Sequence, residues 1–131
     1  MSLDPEDAAA VVRAFWQRMA TNDFASVAEL LAPGFVLDWP QSRERIRGAA
    51  AFVRMNTEYP SHGPWRFTLH RLVADGGQVV THVGVTDGVQ RGEAISFFHV
   101  AGGRIAAVVE FWPDPFPPAE NRRHLVERMP D

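Results

Sequence analysis

The chain has 131 residues, 46% of them apolar and 22% charged, and carries a formal charge of −3. That balance fits one domain with a single core and offers no basic footprint for nucleic acid or an anionic membrane. The lack of cysteine removes disulfides, thiolate catalysis and Cys-ligated zinc; all 13 basic residues are arginine, which removes Schiff-base chemistry through lysine. No apolar run reaches the ~18 to 20 residues that span a bilayer, and residues 1–5 show no signal-peptide pattern. The expectation is one cytoplasmic, bacterial domain over residues 1–131.

Asp4-Pro5-Glu6-Asp7 predicts a helix start, with Asp4 as N-cap, Pro5 at the first helical position and acids in the first turn. Val12, Phe15, Trp16 and Met19 follow at helical spacing. Thr21-Asn22-Asp23 breaks the chain before a short second helix with Phe24, Val27, Leu30 and Leu31 inward, closed by Pro33-Gly34. Residues 35–39 read as a strand and 41–47 as an arginine-rich loop. Gly48 opens a third helix to about Tyr59, with Ala49, Phe52, Val53, Asn56 and Tyr59 inward. Four strands follow, over 65–74, 78–86, 93–100 and 104–112, joined by glycine turns as sequential antiparallel hairpins. A proline-rich tail leads to a last short helix over 119–128.

Helices first and a curved antiparallel sheet afterwards is an α+β plan, with the helices on one face. Alternation sets Val79, Thr81, Val83 and Val85 against Val80, His82 and Gly84, and Ile95, Phe97 and His99 against Ala94, Ser96, Phe98 and Val100. In the last strand Ile105, Ala107, Val109 and Phe111 oppose Ala106, Val108, Glu110 and Trp112. Both faces are largely apolar, so the one without helices needs another cover, and a second copy of the chain is the simplest. Val83, Val85, Ile95, Phe97, Val109 and Phe111 are assigned to that outer, dimer-forming face.

Two carboxylates lie in apolar strands: Asp38 in Phe35-Val36-Leu37-Asp38-Trp39-Pro40 and Glu110 in Val108-Val109-Glu110-Phe111-Trp112-Pro113. Such an acid is costly to bury as an anion, so it must be neutral, paired or facing a partly wet cavity. Asp38 reads either as a proton-transfer group or as the ion-pair partner of Arg43, Arg45 or Arg47. Glu110 reads as a cavity acid or a rim glutamate, and His82 as a cavity histidine or a hydrogen-bonded core residue. The five histidines show no metal-binding spacing, and His82 and His99 are placed on opposite faces. No metal site and no cofactor is expected.

The order of elements resembles the nuclear-transport-factor-2-like superfamily, and within it the SnoaL-like branch of polyketide-cyclase and ketosteroid-isomerase relatives. The resemblance rests on Ala10-Val11-Val12-Arg13-Ala14-Phe15-Trp16, Asn22-Asp23-Phe24, Val36-Leu37-Asp38-Trp39-Pro40, Arg47-Gly48 and the hairpins ending in Glu110-Phe111-Trp112. It covers nearly the whole chain and implies a cone-shaped barrel, a curved antiparallel sheet covered by N-terminal helices. Where ketosteroid isomerases carry a proton-shuttling acid this chain has Asp38; their tyrosine and protonated aspartate fall on Phe15 and Ser96. The arginine and two aspartates of limonene-type epoxide hydrolases fall on His82, Gly84 and Glu110. The acid and histidine of SnoaL-type cyclases are imitated by Asp38 or Glu110 with His82.

The site so implied has Asp38 as base or shuttle and His82 and Glu110 as acid or orienting groups. Asp38 and His82 line one cavity beneath the first and third helices with Glu110 at or near its wall, and Val36 and Trp39 raise the pKa of Asp38. Phe15, Trp39, Phe52, Asn56, Tyr59, Ser96, Phe98 and Trp112 surround the ligand. The implied activity is cofactor-free acid–base chemistry of isomerase, cyclase or hydrolase type on an apolar carbonyl-containing molecule, in a homodimer. The alternative is a non-catalytic ligand-binding or dimerisation module.

Overall fold

The computed structural model describes residues 5–130, with side chains from Ala8 onward, so the expected Asp4 cap lies outside the described residues. Helix α1, Pro5–Met19, buries Ala8, Val12, Phe15, Trp16 and Met19, the apolar stripe of a helix laid on a core. The short second helix is a 3₁₀ segment, Phe24–Leu30. Before it, Asn22 adopts φ 64° and holds the distant Trp65 backbone from both sides. Its Oδ1 accepts from the Trp65 N–H at 2.7 Å, and its Nδ2 donates to the Trp65 carbonyl at 2.8 Å.

Strand β1 runs Leu31–Trp39 and so passes through Pro33-Gly34 instead of starting after it. The ladder is irregular between Leu31 and Val36, where proline has no N–H to contribute. Strand β2, Glu44–Arg47, forms where a loop was expected and sets Asp38 opposite Arg45. Gly48, at φ 88°, opens helix α2, Ala49–Glu58, and donates its N–H to the Phe35 carbonyl at 2.8 Å. A side chain at that φ would be strained, so the sharp exit from β2 into α2 depends on glycine.

Strands β3 (Arg66–Asp75), β4 (Gln78–Thr86), β5 (Arg91–Ala101) and β6 (Arg104–Phe111) complete a six-stranded sheet of order β2-β1-β6-β5-β4-β3. The expected α+β architecture with a curved, cone-like sheet is present. The sheet is open, edged by β2 and β3, and mixed: β1 runs parallel to β6 while every other neighbour is antiparallel. The tail carries a short 3₁₀ segment, Glu120–Leu125.

Register decides which side chains face the helices. Thr86 lies opposite Arg91, so residues 87–90 form a four-residue turn. This sets Val79, Thr81, Val83 and Val85 beside Phe98, Ser96, Ala94 and Gly92 on the inner face. The expected orientation of β4 is thereby reversed: Val83 and Val85 are buried in the core, and His82 points outward. A register of the other parity turns every side chain of a strand over. His82 and His99 consequently share the outer face instead of opposing each other. Ile95, Phe97, Val109 and Phe111 do lie outward. In β6, Ala106 is an extra residue between the pairs Val100–Ile105 and His99–Ala107, and this bulge brings Ile105 onto the inner side with Val108 and Glu110.

The inner face meets the helices through aromatic rings. Phe15 lies 4.9 Å from Trp16, 5.3 Å from Phe98 and 5.8 Å from Phe52 between centroids, and Phe35 lies 5.6 Å from Phe52. Trp16 Nε1 donates to Thr81 Oγ1 at 3.1 Å, and among the described residues every buried side-chain nitrogen and oxygen has a partner. No described helix is long and apolar enough to cross a membrane.

Asp87 organises the β4–β5 turn. Its carboxylate accepts the N–H groups of His62 (2.8 Å), Val89 (2.9 Å) and Gln90 (2.6 Å), and the Gln90 side-chain amide at 2.8 Å. Burial opposes the anion, but these hydrogen bonds outweigh it and hold the pKa far below the ordinary carboxyl value. A depressed folded-state pKa stabilises the fold above the unfolded value of about 3.9 and is lost as pH falls below it. Asp87→Asn should therefore lower the melting temperature by on the order of 5–10 °C at pH 7. Melts taken from pH 7 to pH 3 should show the gap from wild type closing below about pH 4.

Candidate functional site

Glu110 near the end of β6 is 6% exposed and points to the inner face, opposite Ser96. Its Oε1 accepts the indole N–H of Trp39 at 3.0 Å and that of Trp112 at 2.9 Å; its Oε2 accepts the Ser96 hydroxyl at 2.7 Å. A carboxylate has about four acceptor positions, so one remains on Oε2. Among the described residues no basic side chain forms an ion pair with Glu110.

The backbone around it is shaped for two large indoles. Trp112 rests on Gly92, where a Cβ would lie 3.2 Å from its ring carbons. The Trp112 N–H donates to Gln41 Oε1 at 2.7 Å, which ties the end of β6 to the turn after β1. Neither Gly92 nor Gln41 is legible in the sequence as a site residue. Gly92 is the second residue of β5, between Arg91 and Glu93 with no distinguishing context, and Gln41 acts through a contact 71 positions away.

Asp38 does not share this site. Phe35 and Leu37 are buried and Trp39 reaches Glu110, so alternation along β1 turns Asp38 to the other side. There Arg45 Nε and Nη2 bind Oδ1 and Oδ2 at 2.6 and 2.9 Å. The hydrogen bond from Arg45 lowers the Asp38 pKa most; burial opposes it, and the charges of Arg45 and Arg47 add to it. The expected upward shift is thus replaced by a downward one, because β2 delivers an arginine to the carboxylate.

His82 is likewise on the outer face, bonded to Glu93. Of the residues expected around a ligand, Trp39, Ser96 and Trp112 gather at Glu110. Phe15, Phe52 and Phe98 are 1–3% exposed and pack on one another. They fill the space beneath α1 and α2 where the shared cavity was expected.

A hollow of about 340 Å³ opens beside the end of α2, lined in part by Asn22, Phe24, Asn56, Tyr59 and Trp65. Asn56 Nδ2 is engaged with the Phe52 carbonyl at 2.9 Å, and Tyr59 is half exposed with its ring 6.1 Å from Trp65. Asp38, His82 and Glu110 do not line it.

The profile of the SnoaL-like domain matches residues 12–108. The chain belongs to the SnoaL-like family. This SnoaL-like protein is 37% identical to a candidate ketosteroid isomerase from Kribbella flavida DSM 17836, over 98% of this chain and 93% of that one, with a TM-score of 0.88. It shares its fold with an NTF-2-like protein of unknown function from Burkholderia xenovorans LB400, at 22% identity over 95% and 97% of the chains and a TM-score of 0.77. An LEH-like epoxide hydrolase from M. tuberculosis also shares the fold, at 24% identity over 83% and 84% and a TM-score of 0.69. No curated protein matches. The SnoaL-like, nuclear-transport-factor-2-like resemblance read from the sequence is therefore the family itself. Chemically, this SnoaL-like site offers one inward carboxylate held by three neutral donors, able to accept one more hydrogen bond or a proton.

Proposed function

We propose that this SnoaL-like protein binds a small, largely apolar, carbonyl-containing molecule at the Glu110 end of the sheet and that Glu110 is its acid–base residue. The supporting observation is a carboxylate buried among two tryptophans and a serine with no ion-pair partner among the described residues. Structural carboxylates inside proteins are usually matched by a cation, and an unmatched one is a candidate for function. The 37% identity to a candidate ketosteroid isomerase favours isomerase-type proton transfer. Asp38 is reassigned from base to surface ion pair.

A second reading, non-catalytic ligand binding, draws on the inner aromatic packing. Phe15 stands where the resemblance calls for a phenolic donor, so Ser96 is the remaining hydroxyl from that set. The test screens wild type, Glu110→Gln and Asp38→Asn against enones, lactones, epoxides and polyketide-like aromatics. Turnover that Asp38→Asn keeps and Glu110→Gln loses supports the enzyme. Turnover that survives Glu110→Gln removes Glu110 from the mechanism, and saturable binding without turnover supports the second reading. The assembly is proposed to be a homodimer through Ile95, Phe97, Val109 and Phe111 on the outer face.

A further inference from the structure

Three side chains from three neighbouring strands converge on the outer face, on the opposite side of the sheet from Glu110. His82 Nε2 lies 2.6 Å from Glu93 Oε1, and His70 Nε2 lies 3.8 Å from the same oxygen. The two imidazole rings are 4.8 Å apart between centroids, and one ligand atom from each residue lies within 4.8 Å of the other two.

Two backbone features assemble this group. His70 is the extra residue between the pairs Leu69–Val83 and Arg71–His82, so a bulge in β3 turns it outward together with Arg71. Gly84, opposite Glu93 in the ladder, leaves the space that His70 occupies. A Cβ at Gly84 would come 2.9 Å from His70 Nε2 and 3.4 Å from Glu93 Oε2. Sequence spacing does not reveal the group, because its members lie on three strands and one of them depends on a bulge.

We propose that His70, His82 and Glu93 bind a divalent transition metal, zinc foremost, through both Nε2 atoms and the carboxylate. Two imidazoles and one carboxylate are a donor set that zinc and its neighbours favour, at bond lengths of about 2.0–2.2 Å. Donors of a tetrahedral ion sit roughly 3.3 Å apart. To reach that spacing His70 draws in from 3.8 Å while His82 and Glu93 part from 2.6 Å, shifts open to side chains that are 43%, 34% and 50% exposed. Binding replaces the His82–Glu93 hydrogen bond by two metal bonds and releases any proton on the ligating nitrogens to solvent. Three protein ligands leave a further position for water or an anion. Arg71, opposite His82 in the ladder, carries a like charge that opposes the added cation.

The test uses the full, untagged chain, stripped by chelator and titrated with Zn²⁺ by calorimetry and with Co²⁺ by visible absorption. One ion per chain is expected, with the d–d bands of low-coordinate Co²⁺ and a melting temperature several degrees higher in excess Zn²⁺. His82→Gln and Glu93→Gln should each weaken binding by at least tenfold, since residues that merely orient a ligand are worth about that much. Gly84→Ala removes no ligand yet should weaken binding by displacing His70, with its metal-free melt near wild type. His124→Gln, in the exposed tail segment, should bind like wild type. Absence of saturable binding overturns the proposal, as does binding that His82→Gln and Glu93→Gln leave at wild-type strength.

Discussion

Glu110→Leu should lower the melting temperature by roughly 10–20 °C, whereas Glu110→Gln should melt within a few degrees of wild type. Leucine leaves the Trp39 and Trp112 indole N–H groups and the Ser96 hydroxyl without their acceptor. The orphaned Ser96 hydroxyl is buried and costs about 1–3 kcal/mol, the two part-buried indole N–H groups add up to as much each, and the added apolar contact offsets only part of the sum. Glutamine keeps the shape: its Oε1 can accept from both indoles while its amide donates to Ser96 Oγ, an oxygen that accepts as readily as it donates. The same pair of variants separates structure from chemistry. Glutamine cannot take up or release a proton at neutral pH, so any turnover through Glu110 should fall ~10²- to 10⁴-fold with little change in ligand affinity. Scanning calorimetry reads the first effect, and steady-state kinetics on a substrate found in the screen reads the second. A Glu110→Leu protein that melts like wild type would show that the three hydrogen bonds contribute little. A fully active Glu110→Gln protein would leave Glu110 a structural acceptor.

The sheet was legible because its turns announce themselves. Asp75-Gly76-Gly77, Asp87-Gly88 and Gly102-Gly103 separate apolar runs, and Gly76, Gly88, Gly102 and Gly103 all adopt positive φ. What the sequence conceals is parity. The turn after Thr86 spans four residues, and the bulges at His70 and Ala106 each add one residue without altering composition. Each such event moves side chains between the core and the outer face, which is why Val83, Val85 and His82 exchange their expected sides.

The site was half legible for the same reason. Glu110, Ser96, Trp39 and Trp112 all lie where alternation puts them, because the register from β5 into β6 holds from Ser96 opposite Glu110 to His99 opposite Ala107. Asp38 points outward because Phe35, Leu37 and Trp39 take the inner positions of β1, and its partner is concealed because residues 44–47, polar and rich in arginine, have the composition of a loop. Those residues form a strand by pairing with β1, an interaction their own composition does not encode, and the pairing brings Arg45 to Asp38. A charged edge strand of this kind also protects the sheet edge against pairing with another chain.

Phe97→Arg should reduce the proposed homodimer to a monomer. Phe97 is 44% exposed at the centre of the outer face, edge-on to Phe111 at 6.1 Å between centroids, with Ile95 and Val109 alongside. A chain that leaves such a patch uncovered is expected to bury it against its own two-fold mate, over a standard interface of ~1,600 Å² in total. In a two-fold interface each residue occurs twice, so one substitution removes two aromatic anchors and places two guanidinium groups in desolvated surroundings. If each anchor is worth about 2 kcal/mol, dimer affinity falls roughly 1,000-fold. Sedimentation at micromolar concentration should give twice the 14.6 kDa chain mass for wild type and the single chain mass for Phe97→Arg. Val89→Arg is the matched control: Val89 is more exposed, at 69%, but sits in the β4–β5 turn away from the patch, so its variant should remain dimeric. A monomeric wild type, or a Phe97→Arg protein as dimeric as the control, would show that the outer face is not the contact.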